Sequence, residues 1–330
     1  MTPADGPLVS TIVVNYNGRH HLPECLRALE AQTLPAKQLE VILVDNGSTD
    51  GSADFVRREF PRVRVIPLGE NLGFAAGNNV GFANAVGRFV ALLNNDTAAD
   101  PSWLVAMLRA LDEHPGAGGV ACKIRFHHDP ATLNSAGLVL YRDGRGGDRG
   151  FRQADIGQFD RPEEVFGACG AAMLLRRELI ADVGMFDERL FMYYEDLDLA
   201  WRARLRGWRF VYAPDAVIRH VHCGTSGEWS PFFCFYVERN RVLVNVKNAP
   251  LILALIVSIG FLVRAGRVWC YVASGRFRAA HGWAYVRAAV SLLGLLPHAI
   301  AERYRIRAAR RAVPDQRFAH LVLRPPAKAA

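Results

Sequence analysis

The first ten residues, MTPADGPLVS, lack the basic-then-apolar pattern of a secretory leader, and no lipidation signal is expected at either end. Low-complexity tracts and internal repeats are missing too, which leaves a globular reading. The cysteines, at 25, 122, 169, 223, 234 and 270, form no metal-type pairs, so buried free thiols in a reducing compartment are expected. No uncharged run reaches the ~20 residues of a spanning helix: PLILALIVSIGFLV ends after fourteen at Arg264, and VSLLGLLPHAI is shorter. Acids are scarce at one end only. From Leu251 onward thirteen Lys and Arg face two acids, Glu302 and Asp315, for a net +11, while residues 1–250 carry 27 basic and 30 acidic side chains, a net of about −3. The basicity belongs to the tail.

What is present is 330 residues at 51% hydrophobic and 22% charged, enough for one large domain with an appendage. Strand-like runs alternate with helical patterns through the first half. LVSTIVVNYN precedes an amphipathic stretch with Leu22, Leu26 and Leu29 on one face, and EVILVD precedes SADFVRREF. VRVIPL leads into a Gly- and Asn-rich helix, and FVALL into PSWLVAMLRALDEH, with Asp100 as its cap and Pro101 at its opening. Such alternation implies βαβ units and an α/β fold with a mostly parallel sheet. Residues 142–162, RDGRGGDRGFRQADIGQFDRP, have weak periodicity and are expected to form a mobile loop near the site or, as readily, a disordered excursion. A strand and short helix follow in GACGAAMLLRRELIADVG, and a further helix over 231–248.

Ligands of open α/β sheets bind outside the carboxyl ends of the strands. Polar residues gather there: Asn15-Tyr16-Asn17 after the first strand, Asp45-Asn46-Gly47-Ser48 after the second, Asn94-Asn95-Asp96 after FVALL. One such Asp is ordinarily a turn; three clusters on one edge point to a site. Five ordered motifs, VVNYNG, VDNGSTDGS, ENLGFAAGNNVGF, LLNNDT and YYEDLDLAWRARLRGW, are followed by AVIRH. Together they resemble a family 2 glycosyltransferase of the GT-A fold, in the branch holding many bacterial rhamnosyltransferases, over roughly residues 8 to 248.

The resemblance implies an inverting sugar transfer from a nucleoside diphosphate, assisted by a divalent cation, Mn²⁺ or Mg²⁺. Asn94-Asn95-Asp96 stands where the family carries an Asp-x-Asp metal motif. Asn94 departs from it, keeping an oxygen and losing a charge, so Asp96 is the expected metal ligand and Asn94 and Asn95 expected nucleotide-sugar contacts. His220 of AVIRH is the expected second ligand, imidazole suiting Mn²⁺ better than Mg²⁺. Asp45 matches the carboxylate that pairs with the imide N–H of uracil or thymine, with Asn15, Asn17 and Asn46 on the same edge. Asn71 and Asn78 are expected nucleotide or diphosphate contacts, and Gly73 would let the backbone approach a ligand. Asp196 matches the family's general base, with Glu195 as acceptor ligand or support. A helix start at Glu195-Asp196 would help to keep a carboxylate ionised. Asp198 faces another way and is expected to bind neighbouring structure.

In the tail, arginines at 264, 267, 276, 278, 287, 303, 305, 307, 310 and 311 are interleaved with Trp269, Tyr271, Trp283 and Tyr285. Apolar faces, arginines and interfacial aromatics together describe amphipathic helices lying on an anionic membrane surface, not a nucleic-acid binder, with a soluble helical cap packed on the catalytic domain as the alternative. The expected organisation is a catalytic domain over 1–248, with a nucleotide-sugar half at about 8–125 and an acceptor half at about 126–248, then a membrane-associating extension over 249–330. That places the chain in the cytoplasm, peripheral on the inner face of the cell membrane. The expected reaction moves L-rhamnose from dTDP-rhamnose, or alternatively a hexose from a UDP donor, to a lipid-linked or growing glycan acceptor. A sugar-1-phosphate nucleotidyltransferase would carry a Gly-rich, Lys- or Arg-containing signature near its start, which VVNYNG lacks. A non-catalytic sugar-nucleotide-binding protein would have lost Asp96 or Asp196, and both are present.

Overall fold

The computed structural model describes residues 6–222, 227–309 and 319–324. Its first half alternates as the pattern demands: β1 (Val9–Asn15), α1 (Leu22–Glu30), β2 (Leu39–Asp45), α2 (Ser52–Glu59), β3 (Arg64–Pro67), α3 (Gly73–Asn84) and β4 (Phe89–Leu93). Then come β5 (Thr97–Ala99), α4 (Trp103–Glu113), β6 (Ala117–Phe126), β7 (Leu133–Ser135), β8 (Leu138–Tyr141), β9 (Gly146–Asp148), β10 (Glu163–Val165), β11 (Ala172–Arg176) and α5 (Arg177–Val183). The chain closes with α6 (Glu195–Leu205), β12 (Arg209–His220), α7 (Pro231–Asn248), α8 (Leu251–Ala273), α9 (Ala279–Ala308) and β13 (Val322–Leu323). All five residues of β4, the run FVALL, are buried, as in a strand covered by helices on both faces.

The ten-stranded sheet follows the path β10-β12-β6-β11-β4-β1-β2-β3, with β5 beside β12 and β7 beside β6. β1 runs parallel to β2 and β4, in a register that sets Asn15 opposite Asp45. The second half is mixed, because β11 lies antiparallel between β4 and β6 while β12 is parallel to β6. An irregularity between Ala213 and Val217 bends β12, and its far end pairs with β5, so that His220 faces Thr97. That bend brings the last residue of β12 to the edge where β4 ends.

Three local expectations are corrected. Helix α4 starts at Trp103 behind Ser102, and Asp100 supplies a backbone carbonyl to Trp103 N–H (2.9 Å), not a side-chain cap. Residues 142–162 do approach the site, but they are ordered and not a mobile loop. β9 pairs with β8, Asp155 binds Arg125 (2.6 Å) and Lys123 (3.2 Å), and the Arg149 guanidinium lies 4.3 Å from the Phe159 ring centroid. The thiols are not uniformly buried: Cys25 and Cys122 are, while Cys270 is exposed, and Cys223 lies outside the described residues.

Helices α8 and α9 form a hairpin packed on α7. Val257, Phe261 and Val268 of α8 and Tyr285, Ala288 and Leu292 of α9 join the same core as Val242 and Leu243. Their other faces are apolar and exposed, at Ile252 (75%), Ile259 (61%), Leu262 (64%) and Leu293 (72%). The tail's helices are therefore longer than its uncharged runs suggest. With 23 and 30 residues, both are long and apolar enough, by length and composition, to cross a membrane. Arg264 does not stop α8, because it turns inward to Glu238 at 2.8 Å. Arg287 lies over Phe235 and Arg303 donates to the Val246 and Ala249 carbonyls, so these three arginines serve the fold. Arg310 and Arg311 lie outside the described residues.

Asp198 joins α6 to α7. Fully buried, it accepts from Arg202 (2.8 Å), Lys247 (3.0 Å) and Asn248 (2.8 Å). Burial pushes its carboxyl upward, but the charges of Lys247 and Arg202 outweigh that and hold it at about 2.

Candidate active site

The polar strand ends meet a cavity of about 840 Å³ that also collects the start of α6 and the end of β12. On the sheet edge, Asn15 is fully buried at the end of β1. Its Oδ1 accepts from Asn95 (2.7 Å), while its Nδ2 lies 3.3 Å from Asp45 and 3.2 Å from Ser48. Gly18 makes this possible, since a Cβ there would overlap Asn95 and Asn15. Asn17, at φ 50°, turns outward and accepts from Thr49 N–H (2.8 Å). Asn46 donates to Asn71 (3.0 Å) and the Gly73 carbonyl (3.1 Å) and accepts from Leu72 N–H (3.0 Å).

Of the residues expected at the site, Asn46, Asn71, Asn94, Asn95, Asp96, Glu195, Asp196 and His220 line the cavity; Asn15, Asn17, Asp45, Gly73 and Asn78 do not. Asn15 and Asp45 lie beneath the edge. Asn78 sits inside α3, its amide spent on the Phe74 carbonyl (2.9 Å). Gly73, at φ +86°, has its open side filled by Phe191, so the close approach it permits is to this chain's own backbone.

Asp96 and His220 meet at 3.3 Å, both almost wholly buried. His220 Nδ1 faces Asn134 Oδ1 at 2.7 Å, an acceptor that calls for the proton on Nδ1 and leaves Nε2 turned toward Asp96 and Asn94. Burial raises the Asp96 carboxyl, but the hydrogen bond and charge of His220, with the charge of His21, leave it below the usual range. A carboxylate, an imidazole nitrogen and an amide suit a divalent cation, and the Asn134 contact is the outer-shell support usual for a metal-binding imidazole. Among the described residues no group of three or more His, Cys, Asp or Glu could hold a metal ion, so oxygens of a bound ligand would have to complete the coordination.

On the opposite wall α6 opens with two carboxyls in unlike settings. Asp196 accepts from the N–H groups of Gly170 (2.9 Å) and Leu197 (2.7 Å). Burial raises its carboxyl, and these donors oppose the rise. Glu195 is 5% exposed, and its Oε2 has no partner. Burial and then the Asp196 charge push it far above the usual range. The pair thus divides into a Glu195 whose protonated form is favoured by burial and an Asp196 whose two N–H donors favour the charged form.

Among the cavity residues that reading the sequence missed, two carry buried polar atoms. Asn134 comes from β7 and gives no motif signal. Asp148 closes β9, its Oδ1 buried without a partner. Burial, with the charge of Asp196 adding to it, raises its carboxyl to about 6. The only hint was an acid within the glycine-rich run GRGGDRG.

The family 2 glycosyl transferase model matches residues 10–184, more than half of the chain, and the protein belongs to that family of enzymes. Among its relatives is the N-acetylglucosaminyl-diphospho-decaprenol L-rhamnosyltransferase of Mycobacterium tuberculosis, 32% identical over 244 residues, 67% of this chain and 78% of the relative. The fold is that of GT-A enzymes. A mannosyltransferase of Pyrobaculum calidifontis, solved with GDP-Man and Mn²⁺, superposes at a TM-score of 0.54 with 20% identity, over 92% of this chain and 86% of that one. Staphylococcus aureus TarS, residues 1–349 with UDP, gives 0.53 and 19% over 91% and 86%.

The Asp148 setting carries a stability consequence. Its folded pKa of about 6 lies above the usual 3.8, so the folded state holds the proton more tightly. Stability from this residue is full below about pH 4 and is lost as pH rises through about 6. Asp148→Asn should therefore melt higher than wild type at pH 7.5, with the gap closing below about pH 4. Parallel melting profiles across that range would contradict the assignment.

Proposed function

We propose that this enzyme is an inverting, metal-dependent glycosyltransferase that moves L-rhamnose from dTDP-rhamnose to a lipid-linked or growing glycan acceptor. The observation that carries the reading is the meeting of Asp96–His220 and Glu195–Asp196 across one cavity. The name of the mycobacterial relative supports rhamnose as donor sugar and a lipid-diphosphate-linked acceptor. The nucleotide rests against the edge of Asn46 and Asn71, with Asn17 and Asp45 at its margin and Asp45 taking the base imide N–H. Asp96 and His220 hold the divalent cation, with Asn94 and Asn95 beside the donor. The bound cation supplies charge neutralisation at the diphosphate leaving group.

The acceptor hydroxyl sits beside Asp196. Its oxygen forms the new bond at the anomeric carbon as the carbon–oxygen bond to diphosphate breaks, the electron pair leaving with the phosphate. Asp196 takes the hydroxyl proton. Glu195, kept neutral, donates a hydrogen bond to the acceptor. The helical hairpin rests on the cytoplasmic face of the membrane, its exposed leucines and isoleucines in the lipid and the outward arginines, Arg267, Arg276 and Arg278, near anionic headgroups.

Purified enzyme offered dTDP-rhamnose, UDP-galactose, UDP-N-acetylglucosamine and GDP-mannose should turn over the first, with Mn²⁺. Asp96→Ala should abolish transfer and weaken Mn²⁺-dependent donor binding. Asp196→Asn should keep donor affinity while turnover falls ~10²- to 10⁴-fold, as for a lost general base. Full activity in EDTA, or collapse of donor affinity in Asp196→Asn, would sink these roles.

Because α8 and α9 contribute to the main core, the membrane reading is better tested at exposed positions than by truncation. The triple variant I252S/I259S/L262S should fold like wild type. It should no longer sediment with anionic liposomes, whereas wild type should remain partly bound at high salt. Wild type that ignores liposomes altogether would remove the membrane from the account.

A further inference from the structure

The four residues before the acidic pair are bent in a way their own sequence does not favour. Phe191 has φ 64° and ψ −61°, and Met192 N–H donates to the Leu190 carbonyl at 2.7 Å, which is a γ-turn of the rare, strained hand. Tyr193 (φ 70°) and Tyr194 (φ 69°) follow in the left-handed region, and Glu195 comes next. None of the three is Gly, Asn or Asp, the residues that adopt such backbone readily. Something outside the turn must hold it.

The holder is a dipeptide on α7. Asn240 is fully buried, and its Nδ2 lies 2.9 Å from the Leu190 carbonyl, 2.8 Å from that of Met192 and 2.7 Å from that of Tyr193. Arg239 donates to the carbonyls of Arg189 and Leu190, both at 2.9 Å, and its Nε holds Asn240 Oδ1 at 2.9 Å. That last bond fixes which way the amide faces. The Arg239 guanidinium is itself pinned over the Tyr236 ring, 4.7 Å from the centroid. Neither Arg239 nor Asn240 lines the cavity.

We propose that Arg239 and Asn240 are positioning residues, holding the strained turn that aims Glu195 and Asp196 into the cavity. This rests on the glycosyl-transfer reading above. A turn left to relax would swing the base away from the acceptor hydroxyl, and a displacement of about 1 Å can cost ~10²-fold in rate. None of the donor contacts proposed above belongs to residues 190–194, so donor affinity should be kept.

The test compares Asn240→Ala, Asn240→Asp, Arg239→Ala and Arg239→Lys with wild type in the full chain, by steady-state kinetics, donor titration and hydrogen exchange. Asn240→Asp keeps the shape but turns an acceptor toward three carbonyls, so it should do no better than Asn240→Ala. Both should lose about 10- to 100-fold in kcat with unchanged donor Kd, and residues 190–196 should exchange faster while the sheet does not. Arg239→Lys, which keeps the charge and one donor, should recover part of what Arg239→Ala loses. Wild-type kcat in the Asn240 variants, or equal losses of kcat, donor affinity and sheet protection, would overturn the proposal. If wild type turns over no donor, the transfer reading fails, and exchange at 190–196 still decides whether the pair holds the turn.

Discussion

The buried side chain of Asn15 ties three strand ends together, and the cavity floor depends on that tie. One amide meets Asn95 from the end of β4 and Asp45 and Ser48 from the end of β2, and the Asn15 carbonyl receives the Asn46 N–H at 2.7 Å. Parallel pairing of β1 with both neighbours makes the three strands stop together. A buried amide must satisfy its donors and acceptor, so the edge has one arrangement at low energy. Asn46, Asn95 and Asp96 are presented from it as a fixed set.

The second half of the chain brings the opposing wall by longer routes. The bend in β12 delivers His220 to Asp96, and β7 delivers Asn134 behind it. Helix α6 presents its acidic start while its inner face is anchored through Asp198 to Lys247 and Asn248 of α7. Charge is therefore handled in two ways within one helix. Asp198 is surrounded by cations and stays ionised for structure, whereas burial and the neighbouring Asp196 push the Glu195 carboxyl upward. Helix α7 also packs on the hairpin whose apolar face is exposed, so one element joins the acidic start of α6, the core and the proposed lipid-facing surface.

Local pattern made much of this legible. Period-two and period-3.6 runs reveal β1 to β4 and their helices, and the three polar clusters are visible because each follows an apolar strand. Glu195 and Asp196 announce a helix start whatever surrounds them. What stayed hidden depends on partners far along the chain. Residues 142–162 look irregular because their order comes from Lys123, Arg125 and aromatic neighbours, not from periodicity. Asp148 and Asn134 reach the cavity only through pairings of β9 with β8 and β7 with β6. Asn71 and Asn78 look equivalent seven residues apart, but α3 begins between them, and its turn points Asn78 into the helix's own backbone. Arg264 reads as the end of an apolar run only while Glu238 is out of view.

In the proposed mechanism a single carboxylate, Asp196, acts on the acceptor and the diphosphate would leave toward the cation that Asp96 and His220 would hold, which allows one displacement and no covalent sugar on the enzyme. The stereochemistry of the product reports on this directly. NMR of the glycoside formed from a donor of known anomeric configuration should show that configuration inverted. A product with the donor's configuration retained would contradict the account, since it would require two successive displacements or attack from the leaving group's own face.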